Sequence, residues 1–588
     1  MRVLATAGHV DHGKSTLIRV LTGTDPDRWA IEKERGMTID LGFATMTLAS
    51  GNEVGFVDVP GHFRFVKKML AGVASVDACL FVVDANEGWK PQSEEHLRIL
   101  ELLQVRRGVV ALTKVADLDE ELRDLAALEV AEHLQGTSLA DAEIVLVDSL
   151  SGEGIPELRA ALDRLVLSTS PSEDRGRPRM WVDRAFTIRG AGTVVTGTLV
   201  GGRLKVGDDL IVQPGGERTR IRSMESHGRE LTESEPGRRL ALNLSGVARR
   251  NIDRGHAIVK AGQWHETSVV DASLLALSRL DRTLKSKGAY AAYIGTGDYL
   301  VRLRVLGQTS EVAPGETGLV RMWLKGRVPL ALLPGDRFVL RELGRDETVG
   351  GGEILDVDPV LSPARAAPTR STERVIDERG WLTADELERL TGERMEPTIG
   401  HWVMSDATRE RMEESIRNSC RDAGGVGVDV ATFSDVERAL LDVGVVGVTV
   451  VRNLAFDEAS TSGDMSGRAA GILELLEASP WSPQSFTPSD RSALRELEER
   501  GIACRAGDLW FATSALDAAA SVLSELIARN SEGFTVSEAC QALSTSRKYG
   551  MPLLSYFDAS GLTRRRGDRR VPGPVMLRRQ TTEASPDD

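Results

Sequence analysis

The sequence predicts a multidomain protein in which an α/β domain is followed by two β-barrels and then by tandem winged helices. Three patterns predict this order. Apolar runs alternate with helical patterns up to about residue 167, short β-like runs punctuated by glycine follow, and the chain past residue 362 turns helical. A chain of 588 residues allows about four domains, each able to bury a core.

The first domain, placed at 1–170, contains runs that are apolar on both faces, such as 78–83 and 109–112. Helical segments such as 94–103 separate these runs. This alternation is typical of buried parallel strands joined by crossover helices. A linker rich in Ser, Thr, Pro and Arg follows at 168–178.

Two β-barrels are predicted at 175–263 and 264–362. Glycine interrupts their β-like runs at short intervals, and Gly207-Asp208 and Gly335-Asp336 stand between apolar runs. Glycine followed by aspartate is a common turn sequence, so both pairs are interpreted as hairpin turns.

The last region, 363–580, carries an internal repeat, because residues 496–511 align without gaps on 556–571. Each copy has a helix end, a glycine, a strand, a Gly-Asp turn and a returning strand. Helices followed by such a hairpin make a winged helix, with the last unit at about 520–580. The tail at 581–588 is predicted to be disordered.

Charge is distributed unevenly along the chain. The total of 73 Lys and Arg against 87 Asp and Glu gives a net charge of -14, which by itself argues against a nucleic-acid binder. Between residues 544 and 579, however, nine basic residues face two acidic ones, a local balance of +7. Its position on the last wing predicts contact with nucleic-acid phosphates. The predicted contacts are Arg547, Lys548, Arg564, Arg565, Arg566, Arg569 and Arg570.

Composition also bounds the location of the protein. No run of about 18 apolar residues is present, so no membrane span is predicted. The four cysteines are scattered, without the spacing of a zinc site or a disulfide framework. A reducing cytoplasm is the expected location.

A phosphate-binding loop stands at residues 8–15, between an apolar strand and a helix, and fits the pattern Gly-x4-Gly-Lys-Ser. Gly8 and Gly13 allow backbone N–H groups to surround phosphates, Lys14 neutralises the terminal phosphates, and the Ser15 hydroxyl is a Mg²⁺ ligand. The predicted nucleotide contacts here are Gly8, His9, Val10, Asp11, His12, Gly13, Lys14, Ser15 and Thr16.

Three further elements occur in the order that a GTPase requires. Asp58 ends a buried strand near the Mg²⁺ shell, and the Gly61 amide is expected near the γ-phosphate. Thr38 is expected to be a second Mg²⁺ ligand when the γ-phosphate is present. His62 stands where a residue that positions water is needed, so it is the predicted catalytic residue.

These motifs resemble those of the translational GTPases of the elongation factor Tu type. The likeness rests on Gly-His-Val-Asp-His-Gly-Lys-Ser at 8–15, Arg-Gly-Met-Thr at 35–38 and Asp-Val-Pro-Gly-His at 58–62. The resemblance implies GTP and GDP as ligands with Mg²⁺, and a His62 that positions the attacking water. It also implies an apolar gate formed by Val10 and Met37, and two barrels that bind aminoacyl-tRNA.

The guanine site departs from this family's pattern Asn/Thr-Lys-x-Asp, whose aspartate pairs with the guanine base. The chain reads Thr113-Lys114-Val115-Ala116-Asp117. Two interpretations are open: a one-residue insertion lets Asp117 pair with the base, or guanine selectivity is weakened. The first is favoured, with Thr113, Lys114 and Asp117 as the predicted nucleotide contacts of this loop. Ser149 and Leu150 are predicted to complete the base site.

The chain continues for more than 200 residues past its second barrel, and this organisation resembles the bacterial selenocysteine-specific elongation factors. Segments 182–197, 349–356 and 546–565 support the likeness. The resemblance implies a monomeric GTPase that delivers selenocysteinyl-tRNA to the ribosome at recoded UGA codons. It also implies that the last winged helix binds a selenocysteine insertion hairpin in the mRNA.

The same resemblance implies a selenocysteine pocket on the first barrel. Arg184 and Arg239 would face the selenolate and Asp183 the α-amino group. A selenol is ionised at neutral pH whereas the serine hydroxyl is not, so a cationic pocket can discriminate between the two.

Three other functions stay open at this stage. The chain would also fit a general elongation or initiation factor with a nucleic-acid-binding extension. It would fit a DNA-binding winged-helix regulator with a GTPase switch. If Asp117 cannot reach the base, it would fit a scaffold of weak nucleotide specificity.

Overall fold

The computed structural model divides the chain into two compact units, 1–397 and 398–588. The structure describes residues 1–27, 38, 40–62, 65–73, 76–190, 192–326, 328–424, 427–451, 453–458, 467–530 and 532–574, with only the backbone at Glu499. The predicted gate residue Met37 and the predicted tail 581–588 lie outside the described residues.

A six-stranded sheet forms the centre of the first domain. Its elements are β1 (Arg2–Ala7), α1 (Lys14–Thr22), β2 (Gly42–Thr47), β3 (Glu53–Asp58), α2 (Val66–Val73), β4 (Ala78–Asp84), α3 (Pro91–Leu102), β5 (Gly108–Thr113), α4 (Glu120–Leu134), β6 (Glu143–Leu146) and α5 (Ile155–Ser168). The strand order is β2-β3-β1-β4-β5-β6, and only β2 and β3 are antiparallel neighbours. Every residue of β4 is buried, as expected for a central strand covered by helices on both faces.

A closed six-stranded barrel follows. Its elements are β7 (Arg179–Ile188), β8 (Gly192–Val200), β9 (Leu204–Lys205), β10 (Asp209–Gln213), β11 (Glu217–Ser226), β12 (Arg229–Leu231), β13 (Glu233–Ser234), β14 (Arg238–Ser245), a 3₁₀ turn (Arg249–Asn251) and β15 (Ala257–Lys260). The ring runs β10-β15-β7-β8-β14-β11 and closes because β10 also pairs with β11. Alternate residues of its strands fill the interior.

A second closed barrel is built in the same way. Its elements are β16 (Glu266–Thr267), β17 (Val269–Ala276), β18 (Leu284–Lys285), β19 (Tyr290–Ile294), β20 (Gly297–Val305), β21 (Glu311–Val312), β22 (Thr317–Leu324), β23 (Leu330–Ala331), β24 (Arg337–Glu342) and β25 (Glu347–Asp356). Strands β17-β22-β20-β19-β24-β25 form the ring. The prediction of two barrels after the α/β domain is confirmed.

The hairpin interpretation of the two Gly-Asp turns in the barrels is wrong. Gly207-Asp208 joins β9 to β10, and Gly335-Asp336 precedes β24, but the strands on either side pair with other partners. In both turns the aspartate Oδ2 accepts the N–H three residues earlier, at 2.9 Å. This bond reverses the chain locally, so the turn passes from one sheet to another.

The first unit ends with a helix pair, α6 (Thr372–Arg379), β26 (Trp381–Thr383) and α7 (Ala384–Thr391). The second unit contains β27 (Trp402–Met404), α8 (Asp406–Ala423), β28 (Val428–Asp429), a 3₁₀ turn (Val430–Thr432), α9 (Asp435–Val443), β29 (Val448–Val451), β30 (Leu454–Asp457), α10 (Gly467–Ala478), a 3₁₀ turn (Pro488–Asp490), α11 (Arg491–Glu499), β31 (Ala503–Ala506), β32 (Leu509–Ala512), α12 (Thr513–Arg529), β33 (Phe534–Thr535), α13 (Val536–Ala542), α14 (Arg547–Ala559), β34 (Thr563–Arg566) and β35 (Arg569–Pro572).

The internal repeat is a repeat of structure. The hairpin β31–β32 follows α11, and the hairpin β34–β35 follows α14 with the same offsets and the same two-residue Gly-Asp turn. The predicted winged-helix architecture is therefore confirmed. No helix in the described ranges is long and apolar enough to cross a membrane.

Candidate functional site

The phosphate loop lies where β1 ends and α1 begins. Gly8 has φ +126° and Gly13 has φ +88°, both in the region that favours glycine. A Cβ atom on Gly8 would lie 2.0 Å from the carbonyl oxygen of Val82, so only glycine fits there. The loop thus delivers the N-terminus of α1, with its unpaired N–H groups, to the end of the sheet.

The side chains within the loop have different environments. Asp11 adopts a left-handed backbone with φ +61°, and the Val10 N–H donates to Gln92 Oε1 at 3.1 Å. His9 and His12 pack with ring centroids 5.1 Å apart. Burial lowers the pKa of His12 to about 4, so this ring is a neutral packing group. His12 therefore contributes its backbone to the loop and its side chain to the interior.

Lys14 is almost fully buried beneath the loop. Its Nζ donates to the carbonyl oxygens of Gly8, at 3.0 Å, and His9. Burial lowers the pKa of Lys14 to about 8, which still favours the charged form at neutral pH. Ser15 and Thr16 follow in the first turn of α1.

Oxygen atoms converge beside this lysine. The Ser15 hydroxyl lies 2.6 Å from Asp58 Oδ2 and 2.7 Å from the Thr38 hydroxyl, and Thr38 donates to Asp27 Oδ1 at 2.9 Å. Thr6 donates to the other oxygen of Asp58 at 2.8 Å and so orients the carboxylate. Burial raises the pKa of Asp58 to about 6. Two hydroxyls and a carboxylate are hard donors of the kind that Mg²⁺ prefers.

Gly61 and His62 follow β3 and lie against the phosphate loop. A Cβ atom on Gly61 would be 2.5 Å from Lys14 Nζ and 2.8 Å from the Val10 nitrogen. His62 is half-buried, with its ring 5.9 Å from that of Phe65. The structure thus brings His62 to the same end of the sheet as the phosphate loop.

The first loop predicted to contact the base begins at the end of β5. The Thr113 hydroxyl donates to the backbone oxygen of His12 at 2.8 Å, which ties the loop to the phosphate loop. Lys114 has φ +59°, and its Nζ pairs with Asp84 at 2.7 Å. Asp117 is exposed, and its side chain has no hydrogen bond or ion pair to a described residue.

The second loop predicted to contact the base follows β6, the parallel neighbour of β5. Asp148 closes it, since its Oδ1 accepts the N–H groups of Leu150 at 2.9 Å and Ser151 at 2.7 Å. These bonds hold the pKa of Asp148 below its usual value. Leu150 is 92% exposed, whereas the Ser149 Oγ is buried without a hydrogen-bond partner in the described chain.

The three residues of the expected selenocysteine pocket lie together on the first barrel. Arg239 pairs with Asp183 at 2.9 Å and lies over the ring of Phe43, 3.6 Å from its centroid. Arg184 pairs with Asp40 at 3.2 Å and also contacts the Phe43 ring at 5.2 Å. Both guanidinium groups therefore touch the segment that follows Thr38.

The basic residues of the last winged helix divide into two groups. Arg547 and Lys548 at the start of α14 and Arg564, Arg565 and Arg566 on β34 are exposed. Arg569 is held by the carbonyl oxygen of Gly533 at 2.7 Å.

Arg570 is only 4% exposed and pairs with Asp558 at 2.9 Å. The interpretation of Arg570 as a phosphate contact is wrong, because its position in the hairpin directs it into the domain.

Four contributors were missed by the sequence reasoning. Asp40 and Phe43 contact the pocket arginines, and Gln92 and His96 of α3 accept the N–H groups of Val10 and Gly8, both at 3.1 Å. The separation along the chain is 82 or more residues in each case, so no local spacing marks the pairs. The helical spacing of His96 and Leu100 could have placed His96 on the buried face of α3, but it does not indicate Gly8 as the partner.

Comparisons with family models identify three segments. Residues 1–168 match the elongation factor Tu GTP-binding domain, 192–259 match elongation factor Tu domain 2, and 525–571 match a winged helix described as elongation factor SelB.

Relatives extend the likeness to nearly the whole chain. The selenocysteine-specific elongation factor of Escherichia coli K12 is 28% identical over 634 aligned residues, covering 98% of this chain and 99% of the relative. That of Desulfomicrobium baculatum is 38% identical over 354 residues, covering 60% of this chain and 55% of the relative. Elongation factor Tu 2 of Streptomyces avermitilis is 34% identical over 383 residues, covering 60% of this chain and 96% of the relative.

A solved structure is similar over the same extent. The crystal structure of a bacterial selenocysteine-specific elongation factor, EF-Sec, superposes with a TM-score of 0.68 at 28% identity, covering 97% of this chain and 99% of that one.

Proposed function

Because this chain belongs to the elongation factor Tu family of translational GTPases, and within it to the selenocysteine-specific elongation factors (SelB), we propose that it carries selenocysteinyl-tRNA to the ribosome in its GTP-bound form. Delivery takes place at recoded UGA codons, and the last winged helix holds a selenocysteine insertion hairpin of the mRNA. The observation that supports the proposal is the contact of Arg184 and Arg239 with the segment after Thr38, because this segment would link the proposed aminoacyl pocket to the nucleotide site.

GTP is the proposed substrate, held by loop 8–15. The oxygens of Ser15, Thr38 and Asp58 fit Mg²⁺, which when bound neutralises charge on the β- and γ-phosphates. Lys14 adds a positive charge at the same phosphates. The predicted role of His62 is to orient a water for in-line attack on the γ-phosphorus. A water oxygen–phosphorus bond forms, the bond to the β-phosphate oxygen breaks, and the products are GDP and phosphate.

Hydrolysis switches the pocket through Thr38. Thr38 lies 2.7 Å from Ser15, and Asp40 and Phe43 lie beside the first barrel. A γ-phosphate bound at loop 8–15 would anchor this segment further. Loss of the γ-phosphate removes one anchor of this segment, so the contacts of Arg184 and Arg239 loosen. The tRNA would then be released after hydrolysis.

Selectivity for selenocysteine comes from charge. Arg184 and Arg239 are partly buried, so an anion that replaces their present partners is attracted in a medium of reduced dielectric constant. Asp183 is 7% exposed and would accept the α-amino group. A neutral serine hydroxyl gains less from the two guanidinium groups, and seryl-tRNA is rejected for that reason.

The exposed basic residues of α14 and β34 form the proposed hairpin contact. Phosphate contacts supply affinity, and the turn Gly567-Asp568 reaches away from the domain as a wing. The monomeric state and the cytoplasmic location stay predictions from the sequence.

Competition between two tRNAs tests the proposal. With a non-hydrolysable GTP analogue, we expect selenocysteinyl-tRNA to bind at least about 100-fold more tightly than seryl-tRNA, a difference of about 2.7 kcal/mol. Arg239→Ala should remove most of this ratio. Arg220→Ala, on the same barrel but paired with Asp209 at the surface, should leave it unchanged. Equal binding of the two tRNAs by the unaltered protein would point instead to a general elongation factor.

A second comparison separates RNA from DNA. We expect this protein to bind a selenoprotein mRNA hairpin more tightly than duplex DNA at matched salt concentration. The reverse order would favour the DNA-binding regulator.

A further inference from the structure

The two loops predicted to contact the base have an unusual distribution of polar groups. The inference drawn from them rests on the guanine-nucleotide binding proposed above. In the pattern Asn/Thr-Lys-x-Asp a carboxylate stands three residues after the first position and pairs with the N1–H and 2-amino groups of guanine. Ala116 holds that position here, and its methyl group can accept no hydrogen bond.

Contacts with the rest of the domain fix the residues that precede Ala116. Thr113 is bound to the phosphate loop, and Val115 is fully buried, which fixes the residues on both sides of Lys114. The Leu118 N–H donates to the Val115 oxygen at 3.1 Å, so Ala116 and Asp117 are the two central residues of one tight turn.

The chain after this turn is fixed as well. Asp119 caps α4, with its Oδ1 accepting the Leu122 N–H at 2.9 Å. The turn is therefore tied at both ends. Asp117 stands one residue beyond the position of the carboxylate in the pattern, and it is exposed, with no side-chain hydrogen bond or ion pair to a described residue.

The loop that follows β6 supplies hydrogen-bond donors for the 6-oxo edge of the base. Asp148 already accepts the N–H groups of Leu150 and Ser151, and its own N–H donates to the Glu153 oxygen at 2.9 Å. The N–H of Ser149 has no acceptor among the described residues, and the same is true of its buried hydroxyl. A fixed N–H donor suits a 6-oxo group and opposes a 6-amino group.

We infer that this chain reads the 6-oxo edge of the purine through Ser149 and does not read the 2-amino group, so that it binds inosine and guanosine nucleotides alike and rejects adenosine nucleotides. Hypoxanthine shares the 6-oxo group and N1–H of guanine and differs only in lacking the 2-amino group. The comparison of GDP, IDP and ADP therefore isolates each edge of the base.

Equilibrium binding of GDP, IDP and ADP to the full chain tests the inference. We expect the Kd for IDP to lie within about threefold of that for GDP, and ADP to bind at least about 100-fold more weakly. An IDP affinity lower than that of GDP by about tenfold or more would show that a carboxylate such as Asp117 reads the 2-amino group, and would overturn the inference. Absence of GDP binding altogether would instead contradict the proposed function.

Two substitutions sharpen the test. Ala116→Asp should create the missing contact and raise the preference for GDP over IDP by about tenfold or more. Ser149→Ala removes the hydroxyl but keeps the backbone N–H, so it should leave the ratio of GDP to IDP affinity and the rejection of ADP unchanged. If Ala116→Asp lowers the melting temperature of the full chain, Ala116→Asn provides a second test. Its amide N–H should donate to the 2-oxo group of xanthosine diphosphate (XDP) and so raise the affinity for XDP. An unchanged GDP/IDP ratio in Ala116→Asp together with unchanged XDP binding in Ala116→Asn would also overturn the inference.

Discussion

Removal of two arginines from the last wing, Arg564→Ala with Arg565→Ala, gives a prediction whose size follows from the structure. Five basic side chains of α14 and β34 are exposed, three of them on β34. If each meets one phosphate of a hairpin stem, the slope of log K against log salt is about -4.5, and the double substitution reduces it to about -2.7. At 0.15 M salt each contact contributes about 1 kcal/mol, so the pair should weaken binding by roughly 30-fold.

The assay is a salt titration of hairpin binding by the full chain, followed by fluorescence anisotropy. The preceding wing offers a matched control, because Arg505 occupies the position that corresponds to Arg565 and is equally exposed. Arg505→Ala should leave both affinity and slope unchanged. Loss of affinity in Arg505→Ala, or an unchanged slope in the double variant, would refute the assignment of the RNA contact to the last wing.

Three further predictions concern the first unit. Gly61→Ala should abolish GTP hydrolysis, since the new Cβ would lie 2.5 Å from Lys14 Nζ, while the Kd for GDP stays within a few-fold of that of the unaltered chain. Single-turnover hydrolysis measures this loss, and a normal rate would contradict the prediction. Burial lowers the pKa of His96 to about 3, so at pH 5 this imidazole is protonated in the unfolded chain but not in the folded one. The free energy of unfolding should therefore be about 2 kcal/mol lower at pH 5 than at pH 7 on account of this residue. Urea unfolding at the two pH values measures the difference, and His96→Gln should remove it. Arg341→Ala should destabilise the first unit by about 3 kcal/mol, because Glu95 of α3 loses a buried partner at 3.1 Å; an unaltered calorimetric transition would exclude this role.

Features that depend on neighbouring residues were predictable from the sequence. The phosphate loop is contiguous, and its glycines, lysine and serine each have one physical role, so Gly8, Lys14 and Ser15 could be assigned before any coordinates. Apolar runs on both faces predicted the central strands for the same reason. The repeat in the winged helices was visible because its two wings have the same length and turn.

Features that depend on long-range packing were not predictable. Phe43 and Arg239 are almost 200 residues apart, and nothing in either local sequence indicates their contact. The burial of Arg570 depends on Asp558, whose carboxylate lies inside the same domain. A charge count treats Arg570 and its exposed neighbours as equal, and only the hairpin register separates them.

The Gly-Asp turns also show that local sequence does not determine which strands pair. The two turns in the wings are hairpins, whereas Gly207-Asp208 and Gly335-Asp336 connect strands of different sheets. The dipeptide determines that the chain turns, but the pairing of the strands depends on which apolar faces they bury.

Selenocysteine incorporation at an in-frame UGA codon, in a reconstituted translation reaction, measures the proposed delivery of selenocysteinyl-tRNA itself. We expect full-length product with this protein, GTP, selenocysteinyl-tRNA and a message carrying the insertion hairpin. We also expect the product to fall to background when the hairpin is deleted or when Arg239→Ala replaces the unaltered chain. Equal product with and without the hairpin, or equal use of seryl-tRNA, would contradict the proposed function.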